Sequence, residues 1–136
     1  MPLMKILIVD NYPTARYGLR FMLECELDME IVGETDNGLP ALEAVRELNP
    51  DLLLIDINLP EKAGLEVLKQ LREEGNDVPV LMLADQTDTP HAKTALHMGA
   101  TAFLGKEAGF DALVNTIRCI CEENTEESGD ASPKPT

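Results

Sequence analysis

Asp10, Asp56 and Lys106 are the residues whose types and spacing could do chemistry together. Two carboxylates and an ammonium on one rim suit a hard divalent cation beside a phosphoryl group. Each stands at the end of an apolar run. Ile6-Leu7-Ile8-Val9 leads into Asp10-Asn11, Leu52-Leu53-Leu54-Ile55 into Asp56, and Thr101 to Leu104 through Gly105 into Lys106. A fourth run, Val78 to Leu83, ends in Ala84-Asp85. Runs without alternation read as strands buried on both faces, the mark of a parallel sheet. Open α/β sheets place their ligands at the carboxyl ends of such strands. Parallel strands lie about 4.8 Å apart, so four such ends converge on one cleft. Singly, each residue has an ordinary role. Asp10 would cap a helix starting near Pro13, Asp56 would open a turn, and Lys106 would be a solvated surface lysine. Their coincidence on separate strand ends points to a shared site.

The elements that must position these groups alternate five times. Strands are expected at about 4–10, 29–33, 51–56, 78–84 and 101–104. Helices are expected from Pro13 to about Cys25, over 39–48, 64–74 and about 88–98, and over about 109–122. Ala15, Leu19, Met22 and Leu23 give the first helix its apolar face, and Leu65, Leu68 and Leu71 the third. The fourth helix offers only Ala92, Ala95 and Leu96. The last carries a wide stripe from Phe110 to Cys121. Asp36-Asn37-Gly38 and Gly75-Asn76-Asp77 supply turns, and Asn49-Pro50 stops a helix. Regular βα alternation with short connections implies a three-layer α/β sandwich with right-handed crossovers.

Composition bounds the partners. The chain has 136 residues, 25 acids against 11 bases and a net charge of −14. That suits one domain, expected over 1–121, whose acidic surface argues against gripping nucleic acid or anionic membrane by itself. Residues 122–136 hold no large apolar side chain and read as a disordered acidic linker or tail. No apolar stretch approaches the roughly 20 residues of a membrane helix, and Met1 to Lys5 runs straight into the first strand without a signal peptide. Three cysteines, an odd number, suggest free thiols and a reducing, cytoplasmic setting. Cys119 and Cys121 face different sides of a helix and make a poor metal pair.

The motifs Ile8-Val9-Asp10, Leu54-Ile55-Asp56-Ile57-Asn58-Leu59-Pro60 with Gly64-Leu65-Glu66, Gly99-Ala100-Thr101-Ala102-Phe103, and Lys106 together resemble the receiver domain of two-component response regulators. Lys106-Glu107-Ala108, with no proline after the lysine, is similar to the NarL/FixJ class. The resemblance covers residues 4 to about 121. It implies a flavodoxin-like (βα)5 fold with strand order 2-1-3-4-5. It also implies phosphoryl transfer onto Asp56 from a histidine kinase, a phosphotransfer protein or a small acyl phosphate. Mg²⁺ would be held by Asp10, Asp56 and the Asn58 backbone carbonyl, with Lys106 pairing Asp56 at rest and a phosphoryl oxygen afterwards. A homodimer or partner face would lie between about Ala84 and Cys121. DNA would be reached only through a C-terminal domain absent here.

Two positions depart from the family pattern. Asn11 stands where a second acid is usual, which weakens the expected Mg²⁺ site. Ala84 stands where a Thr or Ser hydroxyl normally bonds the new phosphoryl group. In most receivers a strand-five aromatic then moves inward; with Ala84 opposite, Phe103 is expected to rest inward even without phosphate. Two readings therefore stay open: a phospho-accepting signalling domain, and a phosphate-independent dimerisation or interaction module. An aspartyl hydrolase is disfavoured, because Asn58 occupies the position of its second acid and no cap insertion exists. No turnover substrate is expected.

Overall fold

Alternate residues of each central strand face opposite sides, and in this chain both sides are apolar. The computed structural model describes residues 3–57, 59, 64–84 and 89–129. Within them lie β1 (Met4–Val9), α1 (Pro13–Glu24), β2 (Met29–Thr35), α2 (Gly38–Leu48), β3 (Leu52–Asp56), α3 (Gly64–Glu73), β4 (Val80–Ala84), α4 (Thr89–His97), β5 (Ala102–Gly105) and α5 (Phe110–Gly129). A 3-10 turn, Lys106–Ala108, joins β5 to α5. The five strands form one parallel sheet of order β2-β1-β3-β4-β5.

Leu7, Val9, Leu53, Ile55, Val80 and Met82 face one side, against Ala41 and Val45 of α2, Val67, Leu68 and Leu71 of α3, and Ala95 of α4. Ile6, Ile8, Leu52, Leu54, Leu81 and Leu83 face the other, against Leu23 of α1 and Leu113, Val114 and Ile117 of α5. Every residue of β3 and β4 is buried. The result is the expected three-layer flavodoxin-like sandwich.

Local chemistry sets the element ends. Pro13 opens α1 with its fixed backbone angle. The Asn37 side chain accepts the Leu39 N–H at 3.1 Å and caps α2, which Asn49 closes in the left-handed conformation. At the start of α3, a Cβ on Gly64 would lie 2.6 Å from the Asp56 carbonyl oxygen, so only glycine lets α3 approach the end of β3 this closely. Arg72 of α3 donates to the Gly99 carbonyl at 2.8 and 3.1 Å and ties down the chain between α4 and β5.

Two elements run at least two residues past their expected ends. β2 runs on to Thr35, because a bulge shifts its pairing with β1 from Ile6–Ile31 to Leu7–Gly33 and lets the ladder continue. The helix α5 passes the boundary expected at residue 122 and continues to Gly129. Glutamate is among the better helix formers, so Glu122-Glu123 and Glu126-Glu127 prolong a helix already nucleated by packing on the sheet.

Candidate functional site

Asp10 follows the last residue of β1 and Asp56 is the last residue of β3. The Asp10 N–H donates to the Thr35 carbonyl at 3.1 Å, and the Ile57 N–H donates to the Leu83 carbonyl at 2.8 Å. The ladder thus holds the backbone on both sides of the cleft. Both carboxylates are 1% exposed. Lys106 enters from the turn after β5, and its Nζ donates to Asp10 Oδ2 at 3.0 Å and to Asp56 Oδ2 at 2.9 Å. Residues far apart in sequence therefore meet around one ammonium.

Burial disfavours the charge on Lys106, but hydrogen bonds and attraction from Asp56 and Asp10 outweigh it. The ammonium is held well above its ordinary pKa. Two carboxylates against one ammonium leave one negative charge uncompensated among these three groups. A burial cost of this kind is tolerated where another cation shares the site.

The donor set fits a hard divalent cation in charge and in element. Asp10 and Asp56 bring converging carboxylate oxygens, and Asn11, half-exposed beside Asp10, has a neutral amide oxygen. Among the described residues no three His, Cys, Asp or Glu side chains gather as a metal-holding group. From the described residues, a cation here would draw on two acids and neutral oxygens. Asn58, expected to add its backbone carbonyl, lies outside the described residues, as does Asp85.

Ala84 is buried at the end of β4, in register with Gly105. Phe103 pairs with Met82, one alternation back on the same side of the sheet. It is half-buried against the cluster that includes Met82 and Ala95. The expected inward Phe103 is thus neither turned to solvent nor fully enclosed.

Two neighbours of the site were not anticipated. The Tyr12 N–H donates to Asp10 Oδ1 at 2.9 Å, and the Tyr12 ring lies 5.7 Å from Lys106 Nζ. Arg16 donates from Nη1 to the Asp10 carbonyl at 2.7 Å and from Nε to Glu34 Oε1 at 3.0 Å. The first contact is an Asx turn, which an Asp three residues before a helix already signals. The second joins α1 to β2 through a tertiary contact that no local pattern announces.

Comparison with known proteins places this geometry. Residues 6–118 match the family described as the response regulator receiver domain. The virulence-factor transcription regulator BvgA of Bordetella pertussis is 35% identical over 85% of this chain, which spans 55% of that protein. The transcriptional regulatory protein YhcZ of Bacillus subtilis is 37% identical over 83% of the chain, which spans 53% of it. The chain thus covers about half the length of these relatives. A DNA-binding response regulator of the LuxR family from Staphylococcus aureus superposes with a TM-score of 0.82 at 28% identity, covering 87% of this chain and 98% of that one.

Proposed function

The chain belongs to the response regulator receiver family, and on that premise we propose that it accepts a phosphoryl group on Asp56 and relays the signal to a transcriptional output domain. One observation carries the assignment. Asp56, the last residue of the central strand β3, is a buried carboxylate that accepts from Lys106, with a second carboxylate, Asp10, on the same ammonium, and of the two it is Asp56 that stands at the acceptor position of the family motif.

An Asp56 carboxylate oxygen attacks phosphorus, the bond to the donor's histidine nitrogen or acyl oxygen breaks, and the donor leaves with the electron pair. The product is an aspartyl phosphate. Lys106 already donates to both carboxylates, so its ammonium turns from Asp56 to a phosphoryl oxygen over a short path. Asp10 keeps that ammonium in reach throughout. The residues that would hold Mg²⁺ are Asp10, Asp56, the Asn58 carbonyl and, weakly, the Asn11 amide oxygen; when bound, the ion screens the carboxylate from the phosphoryl oxygens it must approach. Ala84 offers no hydroxyl to the new group, so the family's usual link from phosphate to Phe103 is missing a donor. The donor partner is a histidine kinase or phosphotransfer protein in the cytoplasm. In this reading residues 1–121 form the receiver.

Incubation with acetyl phosphate and Mg²⁺, followed by intact-mass spectrometry, tests the reading. One added phosphoryl group is expected on the wild type and none on Asp56→Asn. Labelling that persists in the variant would reassign the acceptor.

A further inference from the structure

Tyr12 sits where the backbone of the site meets its charges. Pro13 follows it, and the residue before a proline is confined to extended backbone, so Tyr12 takes φ −90° and ψ 114°. Its N–H donates to Asp10 Oδ1 at 2.9 Å, and Arg16 donates to the Asp10 carbonyl at 2.7 Å. The backbone that presents the ring is therefore fixed before any donor arrives. Tyr12 stands at the cap position of α1, yet its side chain makes no capping bond, so the helix end does not call for it. The ring is 52% exposed, so core packing does not hold it either. What it touches is Lys106, whose Nζ lies over the ring at 5.7 Å from its centre. Asp10 and Asp56, each 1% exposed, draw that ammonium inward, while the lysine side chain is 23% exposed. An aromatic face within about 6 Å attracts a cation, more strongly where water is partly excluded.

We propose that Tyr12 is a positioning residue for phosphoryl transfer, its ring holding Lys106 over the cleft while the lysine passes from Asp56 to a phosphoryl oxygen; this rests on Asp56 being the acceptor. As the bond from the Asp56 oxygen to phosphorus forms and the bond from phosphorus to the donor's oxygen breaks, the Asp56 carboxylate loses its charge to an ester-like linkage. Its hold on Lys106 weakens at that moment. Asp10 still attracts the ammonium from the buried side, and the Tyr12 face attracts it from the exposed side. Without the ring, an ammonium released by Asp56 turns to water, and orienting it again costs part of the advantage of a preformed site. The feature required is a π face, since neither a hydroxyl nor bulk alone attracts a cation in this way.

The rate of labelling by acetyl phosphate at saturating Mg²⁺, followed on the full chain by intact-mass spectrometry, tests this. Tyr12→Leu should be labelled about twofold to fivefold more slowly than the wild type, and Tyr12→Phe as fast as the wild type. Pentafluorophenylalanine in place of Tyr12 keeps the shape of the ring but reverses the sign of its face, and should be as slow as Tyr12→Leu. The Lys106 ε-proton resonances read the contact without any phosphate: a ring-current shift is expected in the wild type and in Tyr12→Phe, and its loss in Tyr12→Leu. Labelling of Tyr12→Leu at the wild-type rate would overturn the proposal. So would a Tyr12→Phe as slow as Tyr12→Leu, which would give the role to the hydroxyl, or a pentafluorinated variant as fast as Tyr12→Phe, which would give it to bulk. A wild type that takes no label while showing the ring-current shift would strike the acceptor role of Asp56 itself, and this proposal with it.

Discussion

The two ends of the cleft are equipped differently. At one, Lys106 joins Asp10 and Asp56 by charge-assisted hydrogen bonds, buttressed by the Tyr12 N–H on Asp10 Oδ1 and by Arg16 on the Asp10 carbonyl. At the other, Ala84 ends β4 with a methyl group, and Phe103 lies half-buried without a phenol oxygen. Accepting a phosphoryl group needs fixed charges. Relaying its arrival needs a donor that bonds the new oxygens and moves. Under the proposed function, three residues would meet the first requirement while the second lacks its donor, so chemistry and transmission would be separable within one receiver fold.

The largest effect should come from breaking the charged end. Lys106→Met leaves two buried carboxylates facing each other. The loss should be about 2–3 kcal/mol at neutral pH, below the 3–5 of a fully buried pair because the lysine is partly exposed. Like charges raise carboxylate pKa values in the folded state, so the variant should regain stability as pH falls and the acids protonate. In the wild type the lysine pKa is raised. Its contribution is therefore fully present below the unfolded lysine value and lost only as pH rises through the folded one, leaving it constant across neutral pH. Urea unfolding of both proteins at neutral and mildly acid pH measures the contrast. A variant equally stable at both would break the charged half of the comparison.

Asn11→Asp sharpens the same end. A charge at ~4 Å from a unit charge is worth about 4 kcal/mol at an effective dielectric of 20. Desolvation and repulsion from Asp10 and Asp56 offset much of that, leaving about 1–2 kcal/mol, roughly fivefold to thirtyfold tighter Mg²⁺. Titration calorimetry with Mg²⁺ alone reads this directly, and equal or weaker affinity in the variant would count against it.

Ala84→Thr acts on the other end and should be the mildest. Ala84 is 4% exposed, so the added atoms should cost about 1 kcal/mol of stability before phosphorylation. Thermal melting measures the cost. A gain in stability instead would mean that space beside Ala84 had been waiting to be filled.

Much of this contrast is readable in the chain itself. Four unalternating apolar runs announce buried parallel strands, and the polar residue after each names the strand end that faces the cleft. Asp10, Asp56 and Lys106 follow from that pattern, whereas Asn11 and Ala84 stand out as departures only against the family resemblance. The bulge in β2 does not, because Ile31-Val32-Gly33 reads equally well in either register until β1 is beside it. Arg16 bonding Glu34 across α1 and β2 is equally silent, since neither residue's neighbours differ from an ordinary helix or strand surface. The helical run past Cys121 was obscured by composition: the same glutamates that suit a solvated tail also suit a helix.

Amide resonances of the phosphorylated protein, compared with the unmodified one, test the separation most directly. The account predicts large shifts around Asp10, Asp56 and Lys106, small ones at Ala95 and from Ala102 to Leu104, and growth of the latter in Ala84→Thr. Wild-type shifts at Phe103 as large as those at Asp10, and unchanged by Ala84→Thr, would contradict it.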